Sequence, residues 1–212
     1  MSIFAAAILG GLLSSDVTAA FQSMVSRPIF CAPLFGLIFG DVEAGIRIGI
    51  IIELLWISVV PLGNAVPPDS TVVAVSAVYI SALTRAEFGQ GYIAFLILTL
   101  VPLGILFKRI DIYHRQKNSL LLHYLKARIG KDDFKAVNRV TYISFFVFVS
   151  KAFVFLIIIM RIGVTVLPSI YKYVPYSVRE SLSFLLYILP AIGLGTMIQT
   201  MIFKKSPRRT DV

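Results

Sequence analysis

Apolar runs alternate along the chain with short polar breaks and with breaks rich in glycine and proline. The runs cover residues 3–13, 29–40, 46–60, 70–83, 92–107, 140–167 and 182–203. A helix needs about 20 residues to cross the hydrocarbon core of a bilayer, and only the last two runs reach that length. The pattern therefore predicts an all-α, polytopic integral membrane protein whose N-terminal helices are broken or re-entrant.

The apolar runs of the first half are the short ones. Residues 3–13 fit a broken or re-entrant element, because roughly a dozen helical residues do not span a bilayer. Gly40 and Asp41 separate the runs 29–40 and 46–60, which predicts either a helical hairpin or two broken helices. Because these runs are short, their lengths are compatible with more than one number of membrane crossings before residue 108.

The predicted hairpin contains two pairs of glycines at four-residue spacing, Gly36 with Gly40 and Gly45 with Gly49. Such pairs let helices approach closely, so we expect them to serve packing. Glu43 precedes Arg47 by four residues, a spacing that predicts a local ion pair worth about 0.2–0.5 kcal/mol on a helix surface.

Residues 108–139 differ sharply from the apolar runs, because they carry nine Lys or Arg against three Asp. Leucines on one face predict an amphipathic helix that lies at the membrane surface and ends near Gly130. The positive-inside rule places this segment in the cytoplasm, and two later crossings return the basic C-terminus to the same side. The chain thus divides into an N-terminal membrane half (1–107), this segment, and a C-terminal membrane half (140–212).

Composition excludes a soluble globular domain. Of the 212 residues 58% are hydrophobic and 15% are charged, with a mean hydropathy of +0.87, whereas soluble domains average about 25% charged residues. The net charge of +9 comes from basic residues at the edges of apolar runs, without a stripe of Lys or Arg among aromatics. Anionic lipid headgroups of the bilayer, rather than nucleic acid, are therefore the expected partners of this charge.

Motifs for self-contained chemistry are missing from the sequence. Cys31 is the single cysteine, so neither a disulfide nor a thiolate metal site is expected. No metal-ligand spacing, P-loop or nucleophile motif occurs along the chain. We therefore expect no catalytic residue, metal or cofactor, which argues against an enzyme or an ATP-driven pump.

Glu53 is the most informative candidate for a binding site. On a helix its neighbours three and four residues away include no cation, and a carboxylate at membrane depth costs about 2.5–3.5 kcal/mol. Such a residue needs a tertiary partner or a water-filled cavity. Trp56 lies one turn later on the same face, and a carboxylate beside an aromatic plate suits the hydroxyls and the apolar C–H face of a sugar. A structural ion pair with Lys151 or Arg27 is the alternative.

The segment 61–69 provides the second group of candidates. Three prolines and a glycine within nine residues cannot continue a helix, so its backbone groups must face protein or a polar cavity at membrane depth. Asn64 and Asp69 add side chains that can bind a sugar hydroxyl. Asp69 also precedes Ser70 and an apolar run, so a plain helix N-cap is the alternative for it.

Four stretches match a known family in order and spacing: Arg27-Pro28 followed by Gly36, Gly40, Asp41 and Gly45; Glu53; residues 63–69; and Leu189-Pro190-Ala191-Ile192-Gly193. The first has the pattern Arg-Pro…Gly-x-x-x-Gly-Asp-x-x-x-Gly, and the third has the pattern Gly-x-x-x-x-Pro-Asp. Together they resemble the membrane-spanning IIC subunit of the mannose/fructose/sorbose family of the bacterial phosphoenolpyruvate-dependent sugar phosphotransferase system (PTS).

The resemblance implies a permease subunit in the cytoplasmic membrane that works with a IID membrane subunit and soluble IIA and IIB proteins, as part of an oligomer. It implies an elevator-like movement of a core domain, with the sugar bound by Glu53, Asn64 and Asp69 and phosphorylated by IIB. Two alternatives remain open at this point. The first is a transport-inactive regulatory or scaffold protein that recruits PTS proteins, and the second is an unrelated membrane enzyme using Glu53 and Asp69 as acid and base.

Overall fold

The computed structural model describes residues 2–16, 23–57, 68–84, 87–129 and 135–203, apart from the side chains of 117–124, 126–129, 200, 201 and 203. Seven α-helices and no strands occur in these ranges, which confirms the all-α prediction. The helices are α1 (Ile3–Asp16), α2 (Pro28–Phe39), α3 (Val42–Trp56), α4 (Ser70–Thr84), α5 (Gly91–Ile129), α6 (Lys135–Tyr173) and α7 (Tyr176–Phe203).

Helices α2 and α3 form the predicted hairpin. Gly40 ends α2 in the left-handed conformation, with φ of +81°, and the N–H of Asp41 donates to the carbonyl of Gly36 at 2.8 Å. The Asp41 side chain then caps α3 by accepting the N–H of Ala44 at 3.1 Å. The turn is this tight because glycine adopts the left-handed conformation freely and aspartate is a strong N-cap.

Three of the four paired glycines lie where the two helices touch. A Cβ on Gly45 would stand 2.6 Å from the carbonyl oxygen of Ala32 and 3.0 Å from the Cα of Gly36, and a Cβ on Gly49 would stand 2.6 Å from the carbonyl oxygen of Pro28. The packing role predicted for these glycines is confirmed. It is wrong for Gly40, which has nothing within 4 Å of its Cβ position and serves as the left-handed helix end.

Replacing Gly45 by alanine is expected to destabilise the protein by about 1–3 kcal/mol, because the new methyl group must push the backbone of α2 away. Gly195 in α7 is the matched control, since a Cβ there meets nothing within 4 Å. Gly195→Ala should be neutral or stabilising by up to about 1 kcal/mol through helix propensity. Thermal unfolding of the two variants in the same detergent measures the difference, and equal melting temperatures would contradict the close packing.

Helix α4 lies at the centre of the bundle and packs against α1, α2, α3, α5 and α6. Every residue from 71 to 81 is buried, so the helix has no face toward lipid over that length. At 1.5 Å per residue its 15 residues extend roughly 22 Å, less than the roughly 30 Å of a hydrocarbon core. Helices α1 and α2 are shorter still, which agrees with the prediction of broken or re-entrant helices in this half.

Three longer segments are long and apolar enough to cross a membrane: Gly91–Gln116, Lys135–Tyr173 and Tyr176–Gln199. They expose large apolar side chains, among them Phe146 and Phe184. Exposed apolar surface of this extent is the expected outer face of a protein whose solvent is lipid.

The helix predicted within the segment 108–139 is present and ends at Ile129, close to the predicted end at Gly130, but it is not a separate helix. The first part of the segment continues α5, which runs unbroken from Gly91 through Pro102 to Ile129, and its last part begins α6 at Lys135. Residues 105–129 contain neither glycine nor proline, so nothing ends the helix where its composition changes. Residue 107 lies inside α5, and both the three-part division of the chain and the cytoplasmic placement of the segment stay predictions.

Candidate functional site

Buried polar side chains gather where several helices end: the C-terminal turn of α1, the segment 23–27, the C-terminal turn of α3 and the N-terminus of α4. Five of them are at most 5% exposed, namely Ser14, Ser15, Asp16, Ser26 and Thr71. Polar groups inside an apolar bundle are costly unless they are hydrogen-bonded or face a ligand. This meeting of helix ends is therefore the candidate functional site.

The Glu53 side chain lies at the N-terminus of α2. Its Oε1 pairs with Nη1 of Arg27 at 2.9 Å, and its Oε2 accepts the backbone N–H of Ile29 at 3.5 Å. The Glu53 side chain is 12% exposed and that of Arg27 46%. Of Lys151 and Arg27, the two ion-pair partners considered from the sequence, Arg27 is therefore the one that pairs with Glu53. An ionised carboxylate has about four acceptor positions, so this pairing leaves capacity for hydroxyl donors.

Arg27 is the N-cap of α2 but makes no capping hydrogen bond with its own side chain. The first N–H groups of a helix lack intrahelical partners and carry partial positive charge, which favours a nearby carboxylate. Glu53 fills that role from the neighbouring helix. The hairpin fold brings the two together, because Glu53 near the end of α3 returns to the level at which α2 begins.

Asp69 acts as the N-cap of α4. Its Oδ1 accepts the N–H of Val72 at 3.0 Å, and its Oδ2 accepts the hydroxyl of Ser14 from α1. The helix N-cap, which the sequence offered as the alternative role of Asp69, is therefore observed. A carboxylate can accept more than two hydrogen bonds, and the role of Asp69 toward a ligand stays a prediction.

The Trp56 indole and the backbone carbonyl of Asp69 approach the same point on α5. A Cβ on Gly104 would stand 3.3 Å from the carbonyl oxygen of Asp69 and 3.9 Å from Cη2 of Trp56. The absence of a side chain at Gly104 lets the indole and the start of α4 approach the same point on α5. Asn64, the remaining predicted site residue, lies outside the described residues.

Asp16 was not predicted as part of this site. Its Oδ1 accepts the N–H and the hydroxyl of Ser23 at 2.9 and 2.8 Å, and its Oδ2 accepts the hydroxyl of Ser26 at 3.1 Å. The backbone carbonyl of Ser26 accepts the hydroxyl of Thr71 at 2.8 Å. The signal in the sequence was the polar end of the first apolar run, Ser14-Ser15-Asp16, but spacing alone did not connect it to Glu53.

A second buried ionic cluster joins α5 and α6. Asp111 is 4% exposed, and its carboxylate contacts Nζ of Lys151 at 2.5 Å and Nε of Arg115 at 2.8 Å. Lys151 also lies against the rings of Phe107 and Phe148. Lys151, considered above as a partner for Glu53, thus pairs with Asp111 instead. Within the described ranges, no three His, Cys, Asp or Glu side chains converge as a metal site would require.

Solved structures with a similar fold include two membrane proteins. One, described as a membrane protein, matches with a TM-score of 0.75 at 20% identity, over 94% of this chain and 77% of that one. The other is the mannose transporter ManYZ in complex with microcin E492, with a TM-score of 0.64 at 19% identity over 94% and 77% of the two chains. At these identities the likeness concerns the fold alone.

Two relatives from Escherichia coli (strain K12) share sequence with the chain. It is 35% identical over 69 residues to the putative N-acetylgalactosamine permease IIC component 2, a match to 32% of this chain and 51% of that protein. It is 21% identical over 179 residues to N-acetylgalactosamine permease IIC component 1, with 82% and 64% covered. The chain thus spans between half and two thirds of the length of these relatives.

The family comparison covers nearly the whole chain. Residues 1–207 match the family described as the PTS system sorbose-specific IIC component. This chain belongs to the sorbose-specific IIC family of the phosphotransferase system, the family of its sugar permease components.

Proposed function

We propose that this protein is the membrane permease (IIC) subunit of a phosphoenolpyruvate-dependent sugar phosphotransferase system, which binds a sugar at Glu53, Trp56, Asn64 and Asp69 and moves it across the cytoplasmic membrane. The observation that carries the proposal is the Glu53 carboxylate, mostly buried among helix ends in an apolar bundle of this family. An acid at such a position needs a polar partner beyond lipid, and Arg27 occupies only part of its acceptor capacity.

The proposed contacts follow from the chemistry of the side chains. Glu53 and Asp69 accept hydrogen bonds from sugar hydroxyls, and Asn64 both donates and accepts. The Trp56 indole packs against the apolar C–H face of the sugar ring. The remaining N–H groups of the Arg27 guanidinium give this residue a second proposed task, which is to donate to ring or hydroxyl oxygens while holding Glu53 in place.

The proposal includes partner proteins, a movement of the protein and an orientation in the membrane. A IID subunit in the membrane and soluble IIA and IIB proteins complete the system, and IIB phosphorylates the sugar, so this subunit needs no catalytic residue of its own. An elevator-like displacement of a core domain moves the bound sugar. Residues 108–139 and the C-terminus face the cytoplasm, where their basic side chains lie near anionic lipid.

Trp56 allows a direct test, because it is the only tryptophan in the chain. The purified protein in lipid nanodiscs is titrated with D-mannose, L-sorbose and N-acetyl-D-galactosamine while indole fluorescence is recorded. We expect a saturable change with at least one of these sugars and none with a polyol of equal osmolarity. Fluorescence that stays constant with every sugar, together with no retention of radiolabelled sugar, would count against the proposed function.

A further inference from the structure

The segment from Ser23 to Arg27 is shaped around the Asp16 carboxylate. Asp16 is 5% exposed and accepts the backbone N–H of Ser23 and the hydroxyls of Ser23 and Ser26. These donors are neutral, and all of them come from one short stretch of chain. Hydrogen bonds to a charged acceptor are stronger than those between neutral groups, so they stabilise the buried carboxylate. The contact joins the end of α1 to the beginning of α2.

The backbone of this segment has an unfavourable conformation at Met24. Met24 has φ of +63°, a left-handed conformation that is uncommon for a residue with a side chain. The N–H of Arg27 donates to the carbonyl of Met24 at 3.0 Å, which closes a turn immediately before α2. Strained turns of this kind persist where surrounding contacts hold them, and here the contacts come from Asp16.

The turn places Arg27 beside Glu53. Arg27 leaves the turn as the N-cap of α2 and pairs with Glu53 at 2.9 Å. From the same turn, the Ser26 carbonyl accepts the hydroxyl of Thr71, two residues beyond Asp69. The end of α1 is thereby linked through this turn to the N-terminus of α2, beside which Glu53 of α3 lies, and to the N-terminus of α4, which Asp69 caps.

We propose that Asp16 is a positioning residue for the sugar site: it holds the turn at residues 23–27 so that Arg27 orients Glu53 toward the sugar. This inference rests on the proposed function, because it assigns a role toward a sugar bound at Glu53. Asp16 does not touch the sugar in this arrangement, and its effect passes through Arg27.

The test compares Asp16→Ala with the conservative Asp16→Asn. Asparagine accepts the Ser23 donors through its carbonyl oxygen and donates to the Ser26 hydroxyl through its amide, so the turn is kept. Asp16→Ala should raise the dissociation constant of the sugar about tenfold, because Glu53 then loses the geometry of about one charge-assisted hydrogen bond to the sugar. The constant is measured by Trp56 fluorescence with the sugar that the wild-type protein binds. Asp16→Asn should stay within about twofold of the wild type on the same grounds.

Asp41→Ala is the matched control, since Asp41 also accepts a backbone N–H but lies at the other end of α3, roughly 18 Å from Glu53 along the helix. It should leave sugar affinity unchanged. An affinity of Asp16→Ala equal to that of the wild type, or a loss equal to that of Asp41→Ala, would overturn the proposal.

Hydrogen exchange of the sugar-free protein separates the inference from the proposed function. Backbone amides of residues 23–29 should exchange about tenfold faster in Asp16→Ala than in the wild type or Asp16→Asn, as expected for a turn that has lost its hydrogen bonds. Unchanged exchange there overturns the positioning role whatever the sugar does. If Asp16→Ala does not accumulate, Ser26→Ala removes one donor and should raise the dissociation constant about threefold; an unchanged value overturns the proposal.

Discussion

Replacing Glu53 by glutamine is expected to weaken sugar binding by about a hundredfold. Glutamine keeps the size of the side chain but removes its charge and one acceptor oxygen, and a hydrogen bond to a charged group contributes about 1.5–3 kcal/mol. The change also leaves Arg27 without its counter-ion at 2.9 Å, so the orientation of the new side chain is no longer held. About 2.7 kcal/mol of lost interaction corresponds to the hundredfold change.

Trp56 fluorescence titration and retention of radiolabelled sugar measure this loss. Glu43→Gln is the matched control, because Glu43 lies on the same helix, pairs with Arg47 at 2.8 Å and is 60% exposed. It should bind sugar as the wild type does, since exposed ion pairs contribute little. Thermal unfolding of both variants shows whether the fold is intact. Wild-type affinity in a folded Glu53→Gln protein would remove Glu53 from the proposed site.

Replacing Lys151 by methionine is expected to destabilise the protein by about 3 kcal/mol. The substitution leaves the Asp111 carboxylate buried with the Arg115 guanidinium at 2.8 Å, and breaking a buried ion pair on one side costs about 3–5 kcal/mol. The lower end of that range applies because Arg115 still neutralises part of the charge of the Asp111 carboxylate. Loss of the ammonium group between the rings of Phe107 and Phe148 adds a smaller cost.

Thermal and denaturant-induced unfolding in detergent measure this effect. The double variant Lys151→Met with Asp111→Asn should recover most of the stability, because it removes the buried charge along with its partner. Lys172→Met serves as the control, since Lys172 and Glu87 form an exposed pair at 3.5 Å. A single variant as stable as Lys172→Met would show that the cluster does not hold α5 to α6.

Local sequence patterns predicted the elements of the N-terminal half well. The Gly40-Asp41 break predicted the turn between α2 and α3, because glycine favours a left-handed helix end and aspartate caps the next helix. The ion pair of Glu43 with Arg47 is confirmed at 2.8 Å. These features depend on neighbours within about four residues, which is the range over which helix geometry alone decides contacts.

Predictions that depended on composition over longer stretches were less successful. The basic segment 108–139 was expected to contain an amphipathic helix that ends near Gly130. A helix does end at Ile129, but it is α5, which already begins at Gly91 in the preceding apolar run. Charged residues change the surface a helix prefers without ending it, whereas glycine and proline end it. Asp111, inside this basic segment, was missed as a buried residue because its partner Lys151 lies 40 residues later on another helix.

The sequence by itself determined the all-helical membrane class, the helical hairpin and the residues whose charge is costly in an apolar bundle. It did so because burial of apolar side chains and helix termination are local consequences of residue type. Only the tertiary structure decided which partners those charges have: Arg27 for Glu53, Lys151 for Asp111, and the turn at Ser23 and Ser26 for Asp16. Each of these partners lies in a different segment from the acid that it contacts, so the packing of those segments against one another sets the distances.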